Sequence, residues 1–104
     1  MITARFAKDS GGYRSFTVSG HAGCEQYGFD VACAAVSSAV QLTANGITEI
    51  AGIKAQVQVD GDTIGVLLPG GTPGESANVL IGALHLHLNL LSEEYKDAIS
   101  VIIE

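Results

Sequence analysis

The sequence predicts an α+β domain of order ββαββαβ, in which one mostly antiparallel sheet carries two helices. Alternating apolar segments come in pairs around turn residues, longer stretches between them keep helical apolar spacing, and residues 98–103 fit a last strand. A length of 104 residues with 47% hydrophobic content suits one domain with a sizeable core. We therefore treat residues 1–104 as a single domain.

The strands are predicted as two β-hairpins followed by the last strand. Residues 2–8 and 13–19 alternate in apolar character on either side of a glycine-containing turn cluster. Residues 54–59 and 63–68 alternate in the same way, and Asp60-Gly61 is a typical two-residue hairpin signal.

The first helix is predicted to begin at Asp30, which suits an N-cap, and to continue through an alanine-rich stretch. The residues that keep helical spacing are Ala32, Val36, Val40, Thr43, Ile47 and Ile50. This spacing carries the helix to about Ala51, with Gly52 as its C-terminal stop. A break at Asn45-Gly46 is the alternative.

The second helix is predicted from a capping box of Thr72 and Glu75, with Pro73 at the first helical position. Residues 84–90 alternate like a strand, but an apolar stretch of roughly 20 residues favours a helix. Its first stripe contains Ala77, Leu80, Ile81, Leu84, Leu88 and Leu91. A second stripe contains Val79, Ala83, Leu86 and Leu90. One sheet face covers only one stripe, so we expect a C₂ homodimer that buries part of this helix or an edge strand.

The charge balance limits the classes of partner. Eleven acidic residues oppose five basic ones, which gives a net charge of −6 at pH 7. Nucleic-acid binders neutralise phosphates with Lys and Arg, so we expect no direct contact with RNA or DNA. A basic protein or peptide is a more natural partner, because opposite charges speed encounter.

The sequence also indicates a cytoplasmic protein without a membrane partner. No run of about 18 apolar residues lacks a polar break, which argues against a membrane span. Residues 1–10 carry charges and lack the long apolar core of a secretory signal. Two cysteines are too few for a disulfide framework.

Cys33 and His21 are the candidate catalytic residues. Cys33 comes three positions after Asp30, in the first turn of the predicted helix, where unpaired backbone N–H groups and the helix dipole favour a thiolate. His21 lies at the start of a glycine-rich loop. Cysteine proteases use a cysteine at a helix N-terminus with a histidine across a loop. Spacing alone also fits a packed cysteine beside a surface histidine.

Two sequence words favour the enzyme. Residues 16–23 contain Ser-Gly-His-Ala, and residues 28–38 read Gly-Phe-Asp-Val-Ala-Cys-Ala-Ala-Val-Ser-Ser. With these words at this spacing, the chain resembles the ribosomal-processing cysteine protease family known as Prp. The predicted ββαββαβ order extends the resemblance over nearly the whole chain.

The resemblance implies a small homodimeric protease that works without a cofactor. Its expected substrate is a large-subunit ribosomal protein, number twenty-seven in the usual naming, from which it removes a short N-terminal extension after an aromatic pair. Cys33 would be the nucleophile and His21 the base. The alternative is a non-enzymatic, ribosome-associated protein-binding module in which Cys33 is merely packed, and the reactivity of the thiol would separate the two.

Other residues near the pair each fit two roles. Asp30 either orients His21 or only caps the helix, and capping is favoured. Ser37 follows Cys33 by one helical turn, so it either hydrogen-bonds the thiolate or substrate, or simply permits close packing. The glycines expected to serve as hinges of a mobile loop, or as plain turn residues, are Gly20, Gly23 and Gly28.

Cys24 is not part of the two family words. It is either incidental or able to pair with Cys33 under oxidation and block the enzyme. A zinc site of His21, Cys24 and Cys33 would have only Asp30 as a fourth ligand, whereas structural zinc prefers four regularly spaced ligands. We therefore expect no metal. His85 and His87 are two apart on a helix, point in different directions and favour packing roles.

Overall fold

The computed structural model describes residues 1–20, 30–70 and 74–104, and the element order within them is ββαββαβ, as predicted. The strands and helices have the following bounds: β1 Ile2–Asp9, β2 Gly12–Ser19, α1 Asp30–Asn45 with a π-helical continuation Gly46–Ile50, β3 Gln56–Asp60, β4 Thr63–Leu67, α2 Glu75–Glu94 and β5 Ile99–Ile103.

The five strands form one mixed sheet in the order β3-β4-β2-β1-β5. β1 pairs antiparallel with β2 and parallel with β5, and β4 pairs antiparallel with β2 and β3. Phe6 lies opposite Phe16, and Ala4 lies opposite Val18, so the buried residues of the two central strands share one face. Both helices pack on that face and form a single core with it.

Helix α1 and its continuation confirm the long first helix. Ala51 caps the end, its N–H donates to the Gly46 carbonyl at 2.8 Å, and Gly52 follows at φ +68°. The alternative break at Asn45-Gly46 corresponds to the point where α-helical hydrogen bonding becomes π-helical. The predicted apolar stripe is buried up to Ile47, whereas Ile50 is 87% exposed.

By length and composition alone, residues 31–50 are apolar enough to cross a membrane. Their inner face, however, is occupied by the sheet, and Ala32, Val36, Val40 and Ile47 have no exposed surface. A core helix of a folded domain carries the same composition.

Helix α2 resolves the ambiguity of residues 84–90 in favour of a helix. Most of the first predicted stripe is buried, with Ala77, Ile81 and Leu88 at 0% exposure. The predicted capping box is wrong, because the helix begins at Glu75, with Gly74 as N-cap and no side-chain cap. Glu75 is therefore the first helical residue and cannot reach back as the third residue of a capping box does.

The second hairpin differs from the prediction by one residue. Asp60 pairs with Thr63, so Gly61 and Asp62 form the turn, and of these Gly61 has a positive φ of +60°. Strand β3 lies at the sheet edge and all of its residues are exposed.

Candidate active site

The sulfur atom of Cys33 lies at the start of α1, in the first turn of the helix. Helix α1 begins at Asp30, and the Cys33 side chain is only 5% exposed. Backbone N–H groups in a first turn have no helical acceptor, and the helix dipole is positive at this end. The position predicted from the sequence for a nucleophile is therefore a real helix N-terminus.

The end of β2 meets this first turn. Gly20 follows the last residue of β2, and its carbonyl oxygen lies 3.8 Å from Sγ of Cys33. Its N–H donates to the carbonyl oxygen of Asp62, 3.1 Å away. The turn of the β3–β4 hairpin, the end of β2 and the start of α1 thus come together at one end of the sheet.

The predicted site residues divide into those that the structure describes and those that it does not. Cys33, Gly20 and Ser37 are described, and Ser37 is half-buried one turn beyond Cys33. Asp30 begins α1, but its side chain lies outside the described part of the chain. The remaining predicted residues lie outside the described residues: His21, Gly23, Cys24 and Gly28. The catalytic pair, the Cys24–Cys33 pairing and the hinge roles therefore stay predictions.

The described residues hold no cluster of three or more His, Cys, Asp or Glu that could bind a metal. The zinc alternative involved His21 and Cys24, which lie outside those residues, so that alternative is not tested here.

The sequence did not reveal that the β3–β4 turn contacts Gly20, the residue beside Cys33 Sγ. Asp60 and Asp62 are both exposed on this turn and bring negative charge to the same end of the sheet. Val59, just before them, is 71% exposed and shares a face with the buried residues of β4, since it pairs with Ile64. A hairpin signal predicts a turn, but it does not predict which strand the hairpin joins.

The outer face of the two helices forms a second surface of note. An open apolar groove of about 860 Å³ runs between α1 and α2. Residues in its wall include Leu42, Ile50 and Val79, which are 75%, 87% and 63% exposed. The second stripe predicted for α2 is thus uncovered in the single chain. Its members Leu86 and Leu90 continue the exposed apolar surface beyond the groove.

His85 and His87 point in different directions, as predicted. His85 stacks on Phe6 with ring centroids 4.5 Å apart, and its Nδ1 is hydrogen-bonded to the Tyr13 hydroxyl at 2.8 Å. Burial, and to a smaller extent the charge of Lys8, lowers the pKa of His85. His87 is exposed. His85 has a packing role at the sheet end opposite Cys33, because Tyr13 begins β2 whereas Gly20 follows its end.

Comparison with known proteins gives a consistent result. The family model described as cysteine protease Prp matches residues 1–100. No curated protein sequence matches the chain.

Several solved structures share the fold. The Streptococcus mutans protein SMU.848 is 30% identical, with a TM-score of 0.89 over 99% of this chain and 93% of that one. The ribosomal processing protease Prp of S. aureus, in complex with a substrate peptide, is 20% identical, with a TM-score of 0.89 over the full length of both chains. The same S. aureus protease with a covalently linked product peptide is 22% identical, with a TM-score of 0.87 over both full lengths. At 20% and 22% identity these likenesses show the fold alone.

Proposed function

This chain belongs to the cysteine protease Prp family, and from that premise we propose that it removes the N-terminal extension of large-subunit ribosomal protein number twenty-seven during ribosome maturation. The observation that carries the proposal is the position of Cys33 Sγ in the first turn of α1, beside the end of β2, where His21 is the next residue after Gly20. The S. aureus protein with the same fold is a ribosomal processing protease that has been seen with substrate and product peptides.

The proposed mechanism is acyl transfer through a thioester. His21 holds the proton of Cys33, and the thiolate attacks the scissile carbonyl carbon to form a C–S bond. Backbone N–H groups at the start of α1 stabilise the oxyanion. The C–N bond then breaks as His21 gives its proton to the leaving amine. His21 next takes a proton from water, the hydroxide attacks the thioester, and the acid product leaves as the thiol is regenerated.

Two further residues have supporting roles in this proposal. Asp30, the first residue of α1, places a negative charge at the positive end of the helix dipole and so stabilises the turn that carries Cys33. Ser37, one turn further on, contributes a hydroxyl on the same side of the helix as the thiol. In the proposed cycle, the segment after Gly20, with Gly23 and Gly28 as its hinges, closes over the bound peptide. No metal or other cofactor is needed for these steps.

Charge supports a basic substrate. The chain carries −6 overall, and Asp60 and Asp62 are exposed on the turn that contacts Gly20. Opposite charges raise the rate of encounter between a protease and a basic ribosomal protein. Because that substrate is made in the cytoplasm, we place the enzyme there as well, with no direct contact to nucleic acid or membrane.

The uncovered outer face of α1 and α2 supports a homodimer. A contiguous apolar surface of this kind typically marks an interface, and a two-fold axis would let the same stripe cover itself. The Cys33 end of α1 is left open by such an arrangement, because the groove is lined by the middle and C-terminal parts of that helix.

Incubation with the extended ribosomal protein of the same organism tests the proposal. Mass spectrometry should identify a new N-terminus just after the aromatic pair of the extension, and Cys33→Ala should produce none. A non-enzymatic binding module is the second candidate, because Cys33 is only 5% exposed. A binding module would bind the extension without cutting it, and its Cys33 would alkylate more slowly than a free thiol.

A further inference from the structure

Three chain segments surround Gly20 at the candidate site. Its N–H donates to the Asp62 carbonyl at 3.1 Å, and its own carbonyl oxygen lies 3.8 Å from Sγ of Cys33. On its remaining side lies the carbonyl oxygen of Met1. One residue therefore touches the start of β1, the β3–β4 turn and the first turn of α1.

Only glycine fits this position, for two separate reasons. Its φ of +78° is a conformation that residues with a side chain rarely adopt. A Cβ at this position would also overlap the Met1 carbonyl oxygen and lie 3.4 Å from the Cα of Ile2. That neighbour is fixed, because Ile2 is 1% exposed and its N–H donates to the Ala98 carbonyl at 2.8 Å. A side chain would have to push Gly20 itself out of place.

We propose that Gly20 is a positioning residue, whose carbonyl group sets the surroundings of the Cys33 sulfur at the start of α1. The Asp62 carbonyl holds Gly20 in turn, so the β3–β4 hairpin is part of the support. The inference rests on the proposed function, in which Cys33 attacks and His21, the next residue after Gly20, handles the proton. A displacement of the Gly20 carbonyl changes the surroundings of Cys33 Sγ, from which it lies 3.8 Å away.

The test compares Gly20→Ala with Gly12→Ala as a matched control. Gly12 also has a positive φ, +113°, and a Cβ there would overlap Oδ1 of Asn78. It begins β2 at the other end of the sheet. Both variants are made in a Cys24→Ser background, so that Cys33 is the single thiol. Thermal unfolding, kcat and KM for cleavage of an extension peptide, and the rate of alkylation by iodoacetamide across pH are measured for each.

Both variants should lose stability, but their chemistry should differ. Misplacement of a catalytic group by about 1 Å costs on the order of 100-fold in rate. We therefore expect kcat of Gly20→Ala to fall by about 100-fold, with KM changed by no more than about threefold, because the peptide surface is intact. The midpoint of its alkylation profile should also shift. Gly12→Ala should keep kcat within about twofold of the parent and keep the same midpoint.

A second variant keeps the inference testable if Gly20→Ala does not fold. Gly61 has φ +60° with open space around it, so Gly61→Val disturbs only the turn that presents the Asp62 carbonyl. A smaller loss of kcat, about tenfold, with the same shift in the alkylation midpoint is expected. Wild-type kcat and alkylation in a folded Gly20→Ala or in Gly61→Val would overturn the inference. Equal losses of kcat in Gly20→Ala and Gly12→Ala would also overturn it.

The same data separate this inference from the proposed function. If the parent protein cuts no extension peptide, the proposed function fails. In that case the alkylation profile still reports whether Gly20 controls the surroundings of the thiol. If the parent cuts normally and the Gly20→Ala profile is unchanged, only the positioning role fails.

Discussion

A single charge on the outer face of α1 should break the proposed homodimer. Leu42 is 75% exposed and lines the groove between the helices. Full burial of a leucine is worth about 1.5–3 kcal/mol, so covering the exposed part of Leu42 would contribute about 1–2 kcal/mol per copy. A two-fold interface contains the residue twice, which gives about 2–4 kcal/mol. At 1.4 kcal/mol per tenfold, Leu42→Glu should raise the dimer Kd by about 30- to 700-fold, before the cost of burying a carboxylate is added.

Sedimentation velocity measures this change directly. The wild-type protein should be a dimer at tens of micromolar, and Leu42→Glu should be a monomer at the same concentration. Val59→Glu is the matched control, because Val59 is 71% exposed but lies on edge strand β3, away from the groove. Circular dichroism confirms that both variants fold.

Two results would refute this reasoning. The first is a wild-type monomer at tens of micromolar. The second is a dimer that survives Leu42→Glu but is lost with Val59→Glu, because the edge strand would then be the interface and the helix face would not.

Three further predictions concern single residues. Cys33→Ala and Cys33→Ser should fold as the wild type does and lose cleavage to background, since neither side chain supplies a thiolate; full activity in folded Cys33→Ala would reject the protease. Cys24→Ser should keep most activity and resist inactivation by oxidants, as measured by cleavage after peroxide treatment. If the variant is as sensitive to peroxide as the wild type, a Cys24–Cys33 disulfide is not the cause of the inactivation. Because the pKa of His85 is lowered in the folded state, the contribution of His85 to stability is full above pH 6.5 and is lost as the pH falls further. Urea titrations at several pH values measure the free energy of unfolding, and His85→Phe should remove part of its pH dependence. An unchanged pH dependence in His85→Phe would contradict this prediction.

Much of the fold followed from local patterns, and the failures have physical causes. Alternation predicted the hairpins, and helical spacing predicted both helices, because these periodicities reflect one buried face. The start of α2 was misplaced because Thr72 and Glu75 match a capping box, a pattern that also occurs where the helix begins elsewhere. The exposure of Ile50 could not be read from its spacing, since spacing identifies a face but not what covers it.

The candidate site was predicted less completely. The position of Cys33 in a first helical turn followed from Asp30 and the alanine-rich stretch, both of which are local signals. The contact between Gly20 and Asp62 joins residues 42 positions apart and depends on the strand order β4-β2, which no local pattern contains. The roles of His21, Gly23 and Gly28 rest on the sequence words and remain predictions.

Topology explains why the end of β2 meets the first turn of α1. β2 is a central strand, with β4 on one side and β1 on the other, and the chain leaves it at Gly20 to form α1. Because Sγ of Cys33 lies 3.8 Å from the Gly20 carbonyl, the helix starts over the same strand end that the chain has just left. In the proposed mechanism, the base is the residue that directly follows Gly20, and Gly20 itself lies beside the first turn of α1. The hairpin turn at Asp62 is distant in sequence from Gly20. The proposed support of Cys33 through Gly20 therefore depends on the pairing of β2 with β4, which brings this turn to the end of β2.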